Sequence, residues 1–421
     1  MSIIPNTKAD ITSEHDSNFL DKLSMSIILN KLNCIKKGCL IIQINGKSFE
    51  FGNQKEKNTL CANIKVKDLR TFKAILFGGE PEAGRTYIDN WWETDSLINV
   101  LGIFIINRNV LFSFEHGLGY LSKYIERFSN YLARNTKLGS KKNIKAHYDI
   151  GNDLYKLFLD KNMMYSSAYF TYDNQSLEEA SDYKLKLICE KLQLTPQDHL
   201  IEIGTGWGGF AIYAAQNYGC RITTTTISDE QYMLANERIK ASRLDHKITL
   251  LNQDYRTLTG VYDKLVSIEM IEAVGHKYLD TYFKTCSRLL KSNGSMLIQA
   301  ITITDDIYND YITSQDFIRK YVFPGGSLPS ISSIINSTSS NTDLNLHNTQ
   351  SFADSYAKTL DIWCKRFITQ RNKIIELGYP QSFLRLWEYY LKYCQAGFEN
   401  GITDVHQMLF RKSGNRFSSP A

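Results

Sequence analysis

Between Gly38 and Gly52 apolar and polar positions alternate. Leu40, Ile42 and Ile44 share one face, and Phe49 and Phe51 resume the alternation after Asn45-Gly46. A period of two marks half-buried strands, and Asn-Gly between two such runs marks a tight hairpin. Helical spacing follows, with breaks at Gly78-Gly79 and Pro81, so residues 21–115 read as a small α+β domain. Residues 1–20 are polar and aperiodic and are expected to form a flexible N-terminus. Leu121, Tyr124, Ile125, Phe128 and Leu132 recur at helix spacing, and a basic run from Lys137 to Lys145 follows. Residues 116–146 thus read as an amphipathic helix and basic linker. Such a helix either docks on its own protein or lies in a membrane interface, and both readings stand.

The pattern changes beyond Asp153. Ser176 and Glu179 form a capping box, and Leu185, Ile188 and Leu192 give the following helix a buried stripe. Short apolar runs then alternate with helical stretches: His199–Ile203, Arg221–Ile227, Ile248–Leu251, Leu265–Ile268 and Ser295–Ala300. Alternation of this kind predicts an α/β fold, a doubly wound parallel sheet with right-handed crossovers, over residues 147–421. Residues 331–351 are rich in Ser, Asn and Thr and are expected to form a mobile loop.

A hydrophobic content of 43% over 421 residues excludes wholesale disorder and is enough for two or three domains. Lys and Arg number 49 against 44 Asp and Glu, an excess too mild for a dedicated nucleic-acid binder. None of the eight cysteines forms a C-x2-C pair or stands at zinc spacing from a histidine, so no metal site is expected and the thiols suit a reducing compartment. The most apolar run, Leu97 to Ile106, falls short of the ~20 residues a spanning helix needs. A basic region followed by an apolar core is missing at the N-terminus. A cytoplasmic protein, at most peripherally associated with membrane, is expected.

The most informative segment is Leu200-Ile-Glu-Ile-Gly-Thr-Gly-Trp-Gly-Gly209, in which a buried strand runs through a glycine-rich turn into a helix. Gly204, Gly206 and Gly209 fit the G-x-G-x-x-G spacing that nicotinamide enzymes share. Two details oppose a dinucleotide. Glu202 stands two residues before the first glycine, where a carboxylate repels a pyrophosphate but suits a cation such as the amino group of S-adenosylmethionine. The next strand, Ile222 to Ser228, carries no acid at its tip for a nicotinamide ribose. Thr226, Ser228 and Gln231 offer neutral hydrogen-bonding groups there instead.

The chain resembles the cyclopropane-fatty-acyl-phospholipid synthases and, more distantly, the mycolic acid cyclopropane synthases. The resemblance runs over residues 30–410 and is carried by ordered blocks. Among them are His147-Tyr-Asp-Ile-Gly-Asn-Asp153, Met164-Tyr-Ser-Ser-Ala-Tyr-Phe170, the loop from Glu202 to Gly208, and Thr226-Ile-Ser-Asp-Glu-Gln231. Further blocks are Ser267-Ile-Glu-Met-Ile-Glu-Ala-Val-Gly-His276, Gln299-Ala-Ile-Thr-Ile303, Tyr321 to Pro329, Tyr356 to Leu360, and Leu386 to Cys394. It implies a class I methyltransferase, Rossmann-like sheet with helical inserts that moves the methyl carbon of S-adenosylmethionine onto a cis double bond of an unsaturated phospholipid. On that resemblance, Tyr165, Ser166, Glu202, Gly204, Gly206, Trp207 and Gly208 bind the cofactor, with Thr226, Ile227 and Gln231 at the nucleoside and Gln253 and Asp254 towards the adenine. A homodimer is implied by it as well, and peripheral membrane contact is expected because a double bond deep in a bilayer must be drawn out to the enzyme.

The chemistry asks for a dry site, an aligned methyl group, and negative charge or π faces for a developing carbocation. Tyr165, Tyr169, Phe170, Trp207, Tyr278, Tyr321, Phe323 and Tyr356 fall in the matching blocks. The family resembled also holds a bicarbonate ion as base, whose ligands fall here on Ser167, Glu272, Gln299, Ile301 (through its backbone) and Tyr356. Ser167 stands where the pattern has Cys, and Gln299 where it has His. Gln cannot relay a proton as His can. These departures leave open a methyl-branched or methylene lipid product, or a small amine as acceptor. A disabled, lipid-binding protein is the reading from outside enzymology. Glu272 is the leading catalytic candidate, His276 is expected to orient its loop, and His147 and Asp153 to hold the covering segment.

Overall fold

The computed structural model describes residues 18–53, 59–108 and 151–414. The amphipathic helix and basic linker expected at 116–146, and with them His147, lie outside the described residues. Residues 18–20, expected to be flexible, instead open helix α1 (Phe19–Leu32), which Asn18 and Asp21 close with a reciprocal capping box.

The chain divides into two compact units. The first contains the described N-terminal residues up to 108 together with 313–324 and 364–402, so the small domain expected at 21–115 is completed by two later segments. Its sheet has the order β2-β1-β3-β4, built from β1 (Cys39–Ile44), β2 (Lys47–Gly52), β3 (Cys61–Val66) and β4 (Trp92–Thr94). The hairpin between β1 and β2 turns on Asn45 and Gly46, both with positive φ (47° and 77°), as the Asn-Gly pair predicts. Helix α2 (Arg70–Ile88) kinks at Gly79, whose φ of 68° and ψ of −154° only glycine adopts readily, two residues before Pro81. The apolar run Leu97–Ile106 is helix α3, capped by Ser96. The helix Gln381–Glu399 brings Tyr389 against both Tyr87 and Phe317. Tyr321 donates to Glu82 and Phe323 packs on Tyr390, so these two aromatics of the matching blocks serve this unit's own packing.

The second unit carries a seven-stranded sheet of order β10-β11-β9-β8-β5-β6-β7. Its strands are β5 (His199–Ile203), β6 (Arg221–Thr226), β7 (Ile248–Asn252), β8 (Tyr262–Ile268), β9 (Leu290–Ile303), β10 (Leu344–Ser351) and β11 (Thr403–Lys412). β5 to β9 run parallel, and β11 enters antiparallel between β9 and β10. Successive residues of a strand face opposite sides, so Leu200 and Ile201 enter different cores. Leu200 and Ile222 pack with Leu185 and Ile188 of α4 (Leu177–Lys191) and Phe210 and Ala214 of α5 (Gly209–Tyr218). After β6 comes α6 (Asp229–Ala241). Ile201, Leu265 and Ile298 pack with Tyr282 and Phe283 of α7 (Leu279–Leu289) and Ile334 of α8 (Ile331–Asn341). The segment 331–351, expected to be a loop, is helix α8 and strand β10: Ser330 and Ser333 form a capping box, and β10 pairs along β11. Helix α9 (Ala353–Thr369) follows.

Gly84 of α2 lies so close to Phe317 that an added Cβ would overlap the ring and come within 2.9 Å of Tyr389. Phe317 is fully buried and cannot swing aside. Gly84→Val is expected to cost about 1–3 kcal/mol, read as a lowered urea midpoint; an unchanged midpoint would show that this packing yields.

Candidate active site

β5 has β6 on one side and β8 on the other, so the winding reverses direction at this strand, and open α/β sheets bind ligands outside the carboxyl ends of the strands at such a point. β5 leads into the glycine loop, where Gly204, Gly206 and Gly208 have φ of 98°, 52° and 83°. All three lie in the left-handed region, which is why the loop needs glycine. A Cβ at Gly204 would sit 3.0 Å from Met270 Cγ, so the loop adjoins the segment that follows β8. At Gly209 a Cβ would run into the Asn162 carbonyl and lie 2.7 Å from Met164 Sδ. The covering segment therefore rests on the start of α5. Arg238 ties the two together, donating to the carbonyl oxygens of Asn162 (3.0 Å) and Trp207 (2.6 Å).

Glu202 is only 2% exposed, and its Oε2 accepts from Thr224 Oγ1 at 2.6 Å. Burial pushes its carboxyl up to about 8, partly opposed by that hydrogen bond. Thr226 Oγ1 donates to Gln231 Oε1 at 2.9 Å, and Ser228 caps α6 by accepting from the Gln231 amide. The amide of Gln253 donates to the Thr226 carbonyl at 3.0 Å, which places Gln253 and the following Asp254 beside the β6 tip. The Asp254 carboxylate takes the Arg256 guanidinium at 2.6 and 2.9 Å.

An aromatic row runs away from the loop. Trp207 donates its indole N–H to Asn152 at 2.7 Å and packs on Tyr155, Tyr155 packs edge-on against Tyr165, and Tyr165 stacks on Trp363 with centroids 5.4 Å apart. Trp363 meets the edge of Tyr356 at 6.3 Å. Asn152, rather than its neighbour Asp153, anchors the covering segment to the loop; Asp153 is exposed and pairs with Lys156.

At the far end of this row lies a centre that the sequence disclosed only in part. Glu269, the residue after β8, accepts from the Tyr356 hydroxyl at 2.6 Å, the Gln299 amide nitrogen at 2.7 Å and the Ser167 backbone N–H at 2.9 Å. Burial raises the Glu269 carboxyl above its ordinary range, against the pull of the Tyr356 and Gln299 hydrogen bonds and the nearby Lys184 ammonium. Glu272 hydrogen-bonds through Oε1 to the Ile301 N–H at 2.5 Å, while its Oε2 is sealed from solvent with no hydrogen-bond partner among the described residues. Burial, and then the Glu269 charge, lift Glu272 to about 8. The Ser167 hydroxyl donates to the Ala168 carbonyl at 2.8 Å, so this residue reaches the centre through its backbone and not, as expected, its side chain.

Behind Glu269 stands Lys184, fully buried on α4, whose Nζ lies 2.7 Å from Ser166 Oγ; burial lowers its pKa to about 8. Ser166 thus holds a lysine. Gln299 Oε1 accepts from Gln407 of β11 at 3.1 Å, and Gln407 in turn accepts from Lys191 at 2.8 Å. Glu269, Lys184 and Arg238 escaped the sequence reading. The only signal for Glu269 was a second acid at the tip of β8, three residues before Glu272.

The donors expected for a bicarbonate ion are thus already engaged. Ser167, Gln299 and Tyr356 converge on Glu269, and Ile301 on Glu272. A further anion would enter between two carboxylates, and the residues present do not fit one.

The strand order with its single antiparallel strand, the glycine loop and the acid at the end of β5 define a class I S-adenosylmethionine-dependent methyltransferase. The model of the mycolic acid cyclopropane synthetase family matches residues 135–408, and the chain belongs to that family. It is 38% identical over 355 residues to the cyclopropane-fatty-acyl-phospholipid synthase of Escherichia coli K12, covering 83% of this chain and 88% of that protein. It is 35% identical over 339 residues to tuberculostearic acid methyltransferase UfaA1 of Mycobacterium tuberculosis, covering 79% and 78%. The crystal structure of mycolic acid cyclopropane synthase CmaA1 complexed with SAH and CTAB superposes with a TM-score of 0.61 at 31% identity, over 65% of this chain and 98% of that one.

The Glu202 carboxyl has a pKa raised above its ordinary value near 4.5 to about 8. The stability linked to its proton is therefore full below the unfolded value and is lost as pH rises through the folded one. Ligand-free protein is expected to weaken between pH 5 and 8, and Glu202→Gln to flatten that slope by up to ~1.4 kcal/mol per pH unit. Urea midpoints at three pH values measure it; parallel slopes would mean that Glu202 is ionised in the fold.

Proposed function

We propose that this enzyme transfers the methyl carbon of S-adenosylmethionine to a cis double bond of a phospholipid acyl chain and closes a cyclopropane ring. The observation that carries the reading is the adjacency of the glycine loop, the aromatic row and the two carboxylates at one reversal point of the sheet. Family membership and relatives named for lipid substrates support it. S-adenosylmethionine supplies an electrophilic methyl group on a sulfonium.

Gly204, Gly206 and Gly208 give the backbone room to approach its amino-acid part, and Glu202 meets the ammonium, a cation that would return its proton to solvent. Thr226, Ile227 and Gln231 hold the nucleoside, with Gln253 and Asp254 beyond. Tyr165, Ser166 and Trp207 cover it from the aromatic side. The ring faces exclude water and meet the positive charge that develops on the acyl chain. Access to lipid is through peripheral contact with the bilayer; no described helix is long and apolar enough to cross one. A methyl-branched or methylene chain is the second reading, favoured by the likeness to the tuberculostearic acid methyltransferase.

Purified protein with methyl-labelled S-adenosylmethionine is expected to label vesicles of unsaturated phospholipid and leave saturated vesicles unlabelled. Proton NMR of the released fatty acid separates a ring from a methylene branch. Label recovered only in water-soluble amines would overturn the lipid reading. Glu202→Gln is expected to weaken S-adenosylmethionine binding at least about tenfold, or about 1.4 kcal/mol, by calorimetry; equal affinity would remove Glu202 from the site.

A further inference from the structure

We propose that the Glu269 carboxylate is the enzyme's own general base, standing where an exogenous bicarbonate would otherwise be held, so that turnover requires no added anion. The inference rests on the lipid reading above and deepens it.

The donor geometry is the first support. Tyr356, Gln299 and the Ser167 N–H close on the two oxygens of a single carboxylate at 2.6, 2.7 and 2.9 Å. Carboxylate and bicarbonate present the same flat O–C–O edge and the same single charge, so one set of donors satisfies either but not both. The second support is the backbone. Glu269 has φ of 47°, a left-handed conformation that is unfavourable for a residue bearing a side chain. Strain held at a strand tip beside a binding crevice is what a positioned functional group entails. The third is the departure at residue 299. An amide cannot carry a proton, but Gln299 orients Glu269 through Nε2 while its own oxygen is fixed by Gln407. The groups facing Glu269 are Lys184 from α4, Tyr356 from α9 and Glu272 from the turn after β8. The lysine and the hydroxyl favour the ionised carboxylate, whereas burial and Glu272 oppose it.

The proton balance is then complete within the site. The alkene π pair forms a bond to the methyl carbon, and the S–CH3 pair returns to sulfur, leaving a cation on the neighbouring acyl carbon. A C–H bond of the new methyl group breaks, its pair closes the ring, and the proton passes to Glu269. The protonated carboxyl releases it to water once product leaves.

The wild-type enzyme is assayed with unsaturated vesicles in buffer stripped of carbon dioxide, with and without added bicarbonate. Equal rates are expected; a rate that collapses on stripping and returns with bicarbonate overturns the proposal. Glu269→Gln is expected to lower kcat by about 100-fold or more while calorimetry gives unchanged S-adenosylmethionine affinity. Activity near wild type in this variant would also overturn it. Should Glu269→Gln fail to bind cofactor, Glu269→Gly decides, since glycine suits the backbone there. It is expected to be inactive alone and to regain turnover with formate or bicarbonate, and full activity without either rules the base elsewhere. A wild-type enzyme that labels no lipid under any condition would instead sink the lipid reading, a distinguishable failure.

Discussion

A carboxylate in a poorly solvated crevice persists only if hydrogen-bond donors meet it. Glu269 imposes that condition on every element of the second unit that approaches it. β9 brings Gln299, α9 brings Tyr356, the covering segment brings the Ser167 amide, and α4 sends a buried lysine behind. The requirement extends outward: Gln299 must itself be fixed, so Gln407 of β11 and Lys191 of α4 complete a polar chain through the interior. Partly satisfied networks of this kind cost more than an apolar core, and satisfied ones hold a single geometry. The centre and the sheet therefore specify one another.

The glycine loop answers a different constraint. Its three left-handed residues turn the chain sharply out of β5, and Met270 and the Asn162 carbonyl close in where side chains would otherwise stand. Arg238 then bonds the covering segment and the loop to helix α6 at once. One guanidinium thus fixes three elements relative to one another.

The parallel strands were legible because short runs of apolar and β-branched residues, the threonines of β6 among them, alternate with helical stretches. The left-handed turn of the glycine loop and the positions of Glu202 in β5 and Glu272 beyond β8 were legible too. β10 was not: Asn345, His347 and Asn348 face outward on an edge strand, so its composition is that of a loop. Lys184, Lys191 and Arg238 sit on helices where a basic residue ordinarily faces water, and nothing local marks them as turned inward. The Ser167 hydroxyl turns to the Ala168 carbonyl and only its backbone N–H meets Glu269, because the direction of a hydroxyl is set by its neighbours in space. The contiguous first domain was misjudged for a similar reason. Phe317 and Tyr389, far along the chain, fill the groove that Gly84 leaves open.

The position of β11 has a consequence for biosynthesis. It is formed by residues 403–412, yet lies inside the sheet, between β9 and β10. As the chain emerges from the ribosome, both flanking strands are complete while their shared partner is still to come. Each then presents a bare ladder of amide and carbonyl groups, an invitation to pair with another nascent chain. Closure of this sheet is thereby withheld until residues 403–412 have been made, and β11 acts as its closing stitch.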